Sequence, residues 1–503
     1  MTETVTCDIA IIGSGMGGGA TAWALRESGA DVVVVERGGR LPREPANWSA
    51  AEVFRKTRYR NAEPWFDEIH QAEFHPGVYY YIGGNTKVYG ACLPRFRETD
   101  FGVVEHLDGR SPAWPVSYSQ MEPYYVRAEQ LLLVHGSPGE DPTEPWRSAD
   151  YPQPALADEP TIERLRHSLN AQGLRPFYLP MGVDRREGGS CIRCATCDGF
   201  PCKVDAKSDA DVRLIRPAVD AGVRLLEHTR VRRLESDGDG SHVTSAIAEN
   251  DDGEVRINAK RYVLAAGAVN TAALLLASGN ANHPNGLANS SGLVGRRYMV
   301  HNSTFMMAVD PRRRSEGGFQ KTLGVNDWYV AGPHCDVPLG NLQMLGKLQA
   351  DIVKPARTWV PMPALRFVTG HSVDIYLTTE DLPDTNNRVV IRADGRIGIY
   401  WTPNNLEAHR RLIARVSAVM RKAGYPIILT ERMNIATNSH QCGTAVMGDD
   451  PEASVVDSRC RSHDVENLWI SDSSVFPSSA AMNPALTIAA NALRVADNGS
   501  LLN

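Results

Sequence analysis

A glycine-rich loop near the N-terminus constrains the fold more than any other feature of this sequence. Residues 8–38 read DIAIIGSGMGGGATAWALRESGADVVVVERG. An apolar run stops at Gly13, Gly15 and Gly18, which form G-x-G-x-x-G, and a helix-compatible stretch leads to a second apolar run that ends at Glu36. This order of strand, turn, helix and strand is typical of a dinucleotide-binding unit, where the glycines permit a tight turn, close approach of a pyrophosphate and helix–strand packing.

The residues beside these glycines narrow the choice of ligand. A helix N-terminus after the loop offers free N–H groups to phosphates. Glu36 ends the second strand, where a carboxylate accepts hydrogen bonds from ribose hydroxyls and disfavours a 2′-phosphate. We therefore expect FAD or NAD rather than NADP, with Ser14 and Arg37 included in the site. A purely structural glycine turn is the alternative.

Length, composition and charge indicate an ordinary globular protein. The chain has 503 residues, 42% of them hydrophobic and 22% charged, and a net charge of -6. This length predicts two domains, and the charge predicts no surface for nucleic acid or an anionic membrane. The N-terminus shows no signal sequence and no apolar run approaches ~18 residues, so we expect a cytoplasmic protein without a membrane span.

A cysteine-rich block, CIRCATCDGFPC, covers residues 191–202. Its spacing, C-x2-C-x2-C-x4-C, is one residue longer than the bacterial ferredoxin pattern, and its proline precedes the last cysteine instead of following it. Free thiols or a local disulfide, an iron–sulfur cluster and a zinc ion all remain open, and we favour thiols without a metal. The four residues concerned are Cys191, Cys194, Cys197 and Cys202.

Several ordered segments resemble the glucose-methanol-choline (GMC) oxidoreductases. They are GGNT at 83–86, WPVSYSQMEPYY at 114–125, GAVNTAALLLASG at 267–279, GLVGRRYMVHN at 292–302 and LWISDSSVFPSSAAMNPALTIAANALRVAD at 468–497. The resemblance implies FAD and an α/β (α+β) fold: a Rossmann-type FAD-binding domain with a substrate-binding domain built on an antiparallel sheet.

The same resemblance implies the domain limits and the flavin contacts. The FAD-binding domain would comprise residues 1–100, 203–304 and 431–503, and the substrate-binding domain residues 101–202 and 305–430. The residues expected to contact the cofactor, besides those of the first loop, are Gly83, Gly84, Asn85, Thr86, Tyr89, Gly90, Ala91, Val231, Ala266, Gly267, Asp472, Asn483, Pro484, Ala485 and Thr487.

One loop points to a branch of the family. GGNTKVYGACLPRF, residues 83–96, aligns without gaps with the loop of pyranose 2-oxidase that carries a flavin-linked histidine. That position is Val88 here, so we predict non-covalent FAD. Gly90 stands where pyranose 2-oxidase has a threonine near the flavin. The chain is similar to bacterial oxidases of this branch that act at C3 of sugars and C-glycosides.

The catalytic pair is predicted from chemistry and resemblance together. Alcohol oxidation needs a base that titrates near neutral pH and a donor that fixes the substrate oxygen. In the family a histidine and a later His or Asn take these parts, and His440 in NSHQCG and Asn483 in MNPALT occupy the matching motifs. Pro484 is a suitable first helical residue, so the helix N-terminus would stabilise negative charge on a reduced flavin.

Each of these assignments has a structural alternative. His440 as a core histidine, Asn483 as a helix cap and Asp472 as a turn cap are the alternatives to catalytic and flavin-binding roles. We interpret His301 as structural. In residues 305–370, Trp328, Trp359 and several methionines either face an aromatic aglycone or belong to the core.

The sequence thus predicts oxidation of a secondary hydroxyl of a sugar or glycoside, at C3 or C2 of a glucosyl unit, to a ketone, with O2 as electron acceptor and H2O2 as product. The alternatives are a dehydrogenase with a quinone or protein acceptor, a flavin lyase without net redox change, and a non-catalytic FAD-binding protein. The predicted partner is a small-molecule sugar or glycoside, and the oligomeric state is left open.

Overall fold

The computed structural model describes residues 3–497 and 501–502. Its strands, in chain order, are β1 Glu3–Ile12, β2 Val32–Val35, β3 Trp65–Asp67, β4 Ala72–Phe74, β5 Val104–His106, β6 Gly109–Ser111, β7 Val134–Gly136, β8 Gln153–Pro154, β9 Phe177–Tyr178, β10 Met181–Gly182, β11 Arg224–Leu226, β12 Arg230–Ser236, β13 Val243–Asn250, β14 Gly253–Leu264, β15 Asn302–Val309, β16 Leu323–Val325, β17 Asn341–Met344, β18 Ser372–Thr379, β19 Arg388–Ile391, β20 Ile397–Tyr400, β21 Ile427–Arg432 and β22 Leu468–Ile470. Its α-helices are α1 Met16–Leu25, α2 Tyr118–Leu131, α3 Pro160–Ala171, α4 Arg216–Asp220, α5 Ala268–Ala277, α6 Ala350–Val353, α7 Met362–Gly370, α8 Leu406–Lys422 and α9 Ala485–Asp497.

A seven-stranded sheet carries the glycine-rich loop. Strands β11, β2, β1, β14 and β22 run parallel in that order, and β12 and β13 extend the sheet from β14 as an antiparallel meander. Strands β2 and β22 and the second half of β1 are buried on both faces, which explains the continuous apolar runs at 9–12 and 32–35. Helices α1, α5 and α9 supply much of the covering apolar surface.

A second, six-stranded sheet is antiparallel throughout, in the order β21-β15-β18-β17-β16-β9. One face packs on α8, whose buried residues repeat at helical spacing and join a separate hydrophobic core with α3. The opposite face looks toward the first sheet. These two sheets confirm the predicted fold class of parallel α/β unit plus antiparallel sheet.

Several element limits differ from the sequence-based expectation. Helix α1 begins at Met16, inside the glycine run, rather than at Ala20. Three consecutive glycines are poor helix formers, but they are buried here and their lack of side chains allows close packing. The sequence predicts a helix over residues 210–221, but its start, Asp211–Ile215, is a π-helical turn. The Arg216 N–H donates to the Asp211 carbonyl, and Pro217 has no N–H to donate.

Two further features concern the surface and the core. None of the helices in the described ranges combines the length and apolar character that crossing a membrane requires. Trp328 is buried in the second core, whereas Trp359 is 81% exposed. Trp328 is therefore a core residue, whereas Trp359 is a surface residue.

Candidate functional site

A cavity of about 1390 Å³ lies between the two main sheets. It exceeds the roughly 300–1,000 Å³ of common small-ligand pockets, so it has room for a dinucleotide and a second molecule. One wall is formed by the glycine-rich loop and the ends of the parallel strands. The opposite wall is the antiparallel sheet. The side chains that face the cavity from it are Phe305 and Met307 of β15, Tyr376 of β18 and Leu345, which directly follows β17.

The first loop has the shape that a bound pyrophosphate requires. A Cβ on Gly13 would lie 2.4 Å from the Ala265 carbonyl oxygen, and one on Gly18 would lie 1.9 Å from the Gly13 carbonyl oxygen. These two glycines are therefore required by the protein's own packing. A Cβ on Gly15 would meet no heavy atom within 4 Å and would point into the open cradle at the start of α1. The cradle thus fits a phosphate-bearing cofactor.

Glu36 is held at the end of β2 by three hydrogen bonds. The Ser14 N–H and hydroxyl donate to Oε2 at 3.1 and 2.6 Å, and the Gly38 N–H donates to Oε1 at 2.9 Å. Burial raises the pKa of this carboxyl, and these donors oppose that effect. The carboxylate lines the cavity next to the glycine-rich loop, where it can accept a ribose hydroxyl.

The second glycine loop, residues 83–91, is held in place by a buried lysine and two aspartates. Lys87 is buried and its ammonium donates to Asp209 and Asp211, each at 3.0 Å. The Gly83 N–H donates to the Ser14 hydroxyl at 3.1 Å, which ties this loop to the first one. The loop therefore presents a fixed backbone and the small residues Gly90 and Ala91 to the cavity.

Asp472 links the start of α5 to the turn that follows β22. Its Oδ2 accepts from the Gly267 N–H at 2.9 Å and from the Thr271 hydroxyl at 2.6 Å, and its Oδ1 accepts from the Ser474 N–H at 2.8 Å. The aspartate therefore caps the turn Ser473–Val475, as the structural alternative holds, and also lines the cavity.

Helix α9 begins beside the catalytic candidates. Its first residue is Ala485, and the Ile488 N–H donates to the Pro484 carbonyl at 2.9 Å. Asn483, Pro484 and Ala485 line the cavity, so the partial positive charge of the helix N-terminus faces it.

His440 lies on the cavity wall in contact with His301. The two Nδ1 atoms are 3.0 Å apart and the rings meet edge to face, with centroids 4.9 Å apart. The Nε2 of His301 is 3.1 Å from the Ser479 carbonyl oxygen. His301, predicted as structural, is therefore the direct neighbour of the predicted base.

This chain of contacts assigns the protons. A carbonyl oxygen only accepts, so His301 carries its proton on Nε2. Burial lowers the pKa of His301 to about 4, so the ring is neutral at pH 7 and its Nδ1 is an acceptor. His440 must then donate from Nδ1. Burial, His301 and the charge of Lys321 lower the pKa of His440 well below its usual range, which leaves a lone pair on its Nε2.

Asn483 is oriented by Gln343 of β17. The Gln343 amide N–H donates to Asn483 Oδ1 at 2.9 Å. Gln343 is 1% exposed, so this bond forms away from bulk water. The Asn483 oxygen is thereby occupied, and its NH2 group is left as a donor on the cavity side.

The structure brings most of the predicted site residues to one cavity. Those that line it are Gly13, Ser14, Gly15, Glu36, Arg37, Gly84, Asn85, Thr86, Tyr89, Gly90, Ala91, Val231, Ala266, Gly267, His440, Asp472, Asn483, Pro484 and Ala485. Gly18, Gly83 and Thr487 lie behind the wall. Gly18 packs on Gly13, Gly83 packs on Asp211, and the Thr487 hydroxyl is 2.8 Å from the Tyr125 hydroxyl, so these three shape the site through packing.

The cysteine block forms a loop beside the cavity. Its four thiols are free, and burial raises the pKa of Cys197 to about 12, so this thiol is protonated at neutral pH. Over the described ranges, no group of three or more His, Cys, Asp or Glu side chains is placed to hold a metal ion. The Gly199 N–H donates to the Val88 carbonyl at 2.8 Å, so the loop packs directly on the second glycine loop.

Sequence reasoning missed Gln343, Lys321 and Asp198, and it missed the contact of His301 with the base. Lys321, which is buried, and the half-buried Asp198 form an ion pair in the cavity wall, with Nζ 2.5 Å from Oδ1. Asp198 lies inside the cysteine block, whose spacing suggested metal ligation, so the segment but not the carboxylate could be found from the sequence. The other residues belong to segments without a recognisable motif.

Comparisons with known proteins agree with this geometry. Residues 155–303 and 382–492 match the GMC oxidoreductase family, and residues 8–99 match the family described as FAD dependent oxidoreductase. The chain is 31% identical to 6'''-hydroxyparomomycin C oxidase of Streptomyces lividus over 97% of its own length and 90% of that protein. It is 27% identical to the fructose dehydrogenase large subunit of Gluconobacter japonicus, covering 98% of each chain.

Solved structures show the same fold at lower identity. Pyridoxine 4-oxidase from Mesorbium loti has a TM-score of 0.68 at 19% identity, covering 98% of this chain and 99% of that one. Formate oxidase from Aspergillus oryzae has a TM-score of 0.69 at 15% identity, covering 99% and 98%. The resemblance predicted from the motifs is confirmed: the chain belongs to the GMC oxidoreductase family and is an FAD-dependent enzyme.

Proposed function

We propose that this enzyme oxidises a secondary hydroxyl of a sugar or glycoside, at C3 or C2 of a glucosyl unit, to a ketone, with O2 as electron acceptor and H2O2 as product. The observation that carries the proposal is the presence, in one cavity, of an acceptor at His440 Nε2 and a donor at Asn483. The relatives that act on aminoglycosides and fructose support a sugar as the substrate class.

The two side chains fit the two sides of one hydroxyl group. His440 Nε2 accepts the hydroxyl proton, while the Asn483 NH2 donates to the oxygen and holds it in place. A bound FAD supplies the hydride acceptor. The positive end of α9 and the Asn483 donor favour the negative charge that develops during the reaction, which lowers the barrier.

The residues that would hold FAD come from separate segments. We propose a discontinuous FAD-binding domain of residues 1–100, 203–304 and 431–503, with residues 101–202 and 305–430 forming the substrate-binding domain. The first sheet supports this division, because β1, β2, β11–β14 and β22 all belong to the FAD-binding segments.

Non-covalent FAD is a further part of the proposal. Val88 lines the cavity and has no nucleophilic atom, and burial raises the pKa of the nearby Cys92 thiol to about 12. Neither residue is therefore suited to attack a flavin. Acid precipitation should release all the flavin into the supernatant, measured by its absorbance, whereas flavin that stays with the pellet would contradict non-covalent binding.

The pH profile should reflect a base that remains neutral below its ordinary range. Protonated His440 cannot accept a proton, so activity requires the neutral ring. Because its pKa is lowered, protonation begins only well below the ordinary value of about 6.5. We expect kcat/KM, measured with a saturating acceptor, to stay level between about pH 8 and about pH 6. A decline centred near pH 6.5 would show that the base has an ordinary pKa.

His301 should act as a positioning residue for the base. Replacing it with leucine removes the acceptor that keeps the proton on His440 Nδ1, so we expect kcat to fall by roughly 10-fold or more, with little change in KM. Asparagine places its Oδ1 near the position of the lost Nδ1, so His301→Asn should restore part of kcat. Equal kcat values for the two variants would argue against tautomer control.

The proposed function is tested by flavin reduction under anaerobic conditions. Purified enzyme is mixed with a panel of glucosides, and the visible flavin absorbance is followed before and after air is admitted. Bleaching followed by recovery and H2O2 formation is the expected result, with ketone position assigned by NMR. Bleaching without recovery in air would replace the oxidase by a dehydrogenase with another acceptor, and no bleaching with any sugar would refute the substrate class.

A further inference from the structure

The cavity contains an ion pair that the proposed proton transfer does not use. Lys321, just before β16, donates to Asp198 Oδ1 at 2.5 Å, and the Gly346 N–H donates to Asp198 Oδ2 at 2.5 Å. All three residues line the same cavity as His440. Since the charge of Lys321 contributes to lowering the pKa of His440, the ammonium lies within electrostatic reach of the base.

The position of the pair relative to the second glycine loop is sharply defined. A Cβ on Gly90 would lie 1.6 Å from Asp198 Oδ1 and 2.1 Å from Lys321 Nζ. The ion pair therefore fills the space that a side chain at residue 90 would occupy. Asp198 also lies within electrostatic reach of Tyr376, whose ring centroid is 6.3 Å from that of His440.

Lys321 has hydrogen-bonding capacity left over. An ammonium has three N–H donors, and within the described part of the chain only the bond to Asp198 is formed. Lys321 is 4% exposed, so bulk water does not readily satisfy the other two donors. Buried polar groups without partners are costly, which favours a ligand that accepts these bonds.

We propose that Lys321 and Asp198 form a second hydroxyl-binding subsite, which holds the hydroxyl adjacent to the one oxidised and thereby selects substrates with a vicinal diol. This proposal rests on the proposed function, since it names the part of the sugar that the same site recognises. Lys321 donates to the neighbouring hydroxyl oxygen, and Asp198 can accept that hydroxyl's proton in a hydrogen bond.

The charge balance of the pair favours a neutral ligand. An isolated lysine would attract a carboxylate or phosphate, but Asp198 compensates its charge at 2.5 Å. Much of the cavity wall formed by the antiparallel sheet is apolar, with Phe305, Met307 and Leu345 among its residues. A few placed polar groups in an apolar pocket fix the orientation of a ligand. A neutral polyol with two adjacent hydroxyls fits this arrangement: His440 and Asn483 would bind the hydroxyl that is oxidised, and Lys321 and Asp198 would bind its neighbour.

The cysteine block acquires a structural purpose from this arrangement. Lys207 is 2% exposed and donates to the carbonyls of Cys197 and Phe200, both at 2.9 Å, which fixes the loop around Asp198. The Gly199 N–H bond to Val88 anchors the loop to the flavin segment. The backbone of the cysteine block thus holds the Asp198 carboxylate on the cavity wall.

The test compares Lys321→Met with the wild type on matched substrates. The substrates are a methyl glucoside and deoxy analogues that each lack one hydroxyl adjacent to the oxidised carbon. Loss of a hydrogen bond to a charged group corresponds to roughly 10- to 100-fold. We expect the wild type to prefer the parent glucoside over one analogue by that factor in kcat/KM, and Lys321→Met to lose most of this preference.

A matched control comes from another lysine of the same cavity. Lys347 uses its three donors on the Ser372 carbonyl and hydroxyl and on Asp374. Lys347→Met should therefore leave the ratio between parent and deoxy substrates unchanged. If Lys321→Met fails to fold, Asp198→Asn provides the same comparison, with FAD content and circular dichroism as checks on the fold.

Three outcomes would overturn the subsite. The first is an equal loss of kcat/KM for parent and deoxy substrates in Lys321→Met and Asp198→Asn. The second is an unchanged preference accompanied by a shifted flavin spectrum or sulfite affinity without substrate, which would assign the ammonium to the cofactor. The third is a wild-type enzyme that oxidises no sugar, which would refute the proposed function and the subsite with it.

Discussion

Replacing His440 with alanine is expected to slow the anaerobic bleaching of the flavin by sugar by about 10²- to 10⁴-fold, the range that a positioned general base contributes. The structure gives two reasons for so large an effect. His440 is the neutral side chain whose Nε2 is left with a lone pair, and it lines the same cavity as the Asn483 donor. Its Nδ1 is held by His301, which fixes the direction in which the Nε2 lone pair points.

The measurement is the rate constant of flavin bleaching in a stopped-flow instrument, with FAD content determined for each preparation. His167→Ala is a suitable control, because His167 is exposed on α3. It should bleach at the wild-type rate. A His440→Ala enzyme that retains full FAD and bleaches as fast as the control would exclude this histidine as the base.

The parts of the site that could be predicted from sequence are those with a local chemical signature. Gly13, Gly15 and Glu36 lie within 24 residues of one another, and the packing of strand, loop and helix needs those residue types at that spacing. The amphipathic pattern of the sequence predicts a helix over about residues 406–423, and α8 ends one residue earlier. In both cases the signal is contained in one continuous stretch.

The parts that could not be predicted depend on contacts between distant segments. Gln343 orients Asn483 from 140 residues away, and Lys321 meets Asp198 across 123 residues. A glutamine in a short strand or a lysine before one has no distinguishing pattern, since its role comes from the pairing of sheets. His301 is interpreted from the sequence as structural, and the fold places it against His440.

Domain-level features follow the same division. Parallel and antiparallel sheets were predictable because continuous apolar runs and alternating ones read differently. The separation of β19 and β20 into a sheet with β3 and β4, away from β18, was not predictable. The sequence from residue 371 onward predicts antiparallel strands, and β18, β19 and β20 do form antiparallel pairs. Which strands they pair with is decided by tertiary packing.

Gly15→Ala is expected to produce a folded protein that binds FAD poorly. At Gly15 the backbone has φ −66°, which alanine adopts readily, and a methyl group there meets no protein atom within 4 Å. The methyl group would instead occupy the cradle in which a pyrophosphate approaches the backbone. Crowding of this kind costs about 1–3 kcal/mol, which corresponds to roughly 5- to 150-fold in the dissociation constant of FAD.

Two other glycines distinguish this effect from general instability. Gly13 has φ +106° and a carbonyl oxygen 2.4 Å from its Cβ position, so Gly13→Ala should lower the melting temperature of the apoprotein itself. Gly238, on an exposed turn with no atom near its Cβ position, should tolerate alanine with FAD binding and stability unchanged. FAD affinity is measured by calorimetry on apoprotein, and stability by thermal unfolding.

The comparison separates a cofactor cradle from a structural turn. If the open space at Gly15 accommodates the pyrophosphate, Gly15→Ala loses FAD affinity while the melting temperature of its apoprotein matches that of the wild type. Undiminished FAD affinity in this variant would place the phosphates elsewhere and leave the glycine run as a packing device. A lowered apoprotein melting temperature would instead show that Gly15, like Gly13, serves the fold. No ligand is bound to the apoprotein, so a change in its stability cannot come from altered FAD binding.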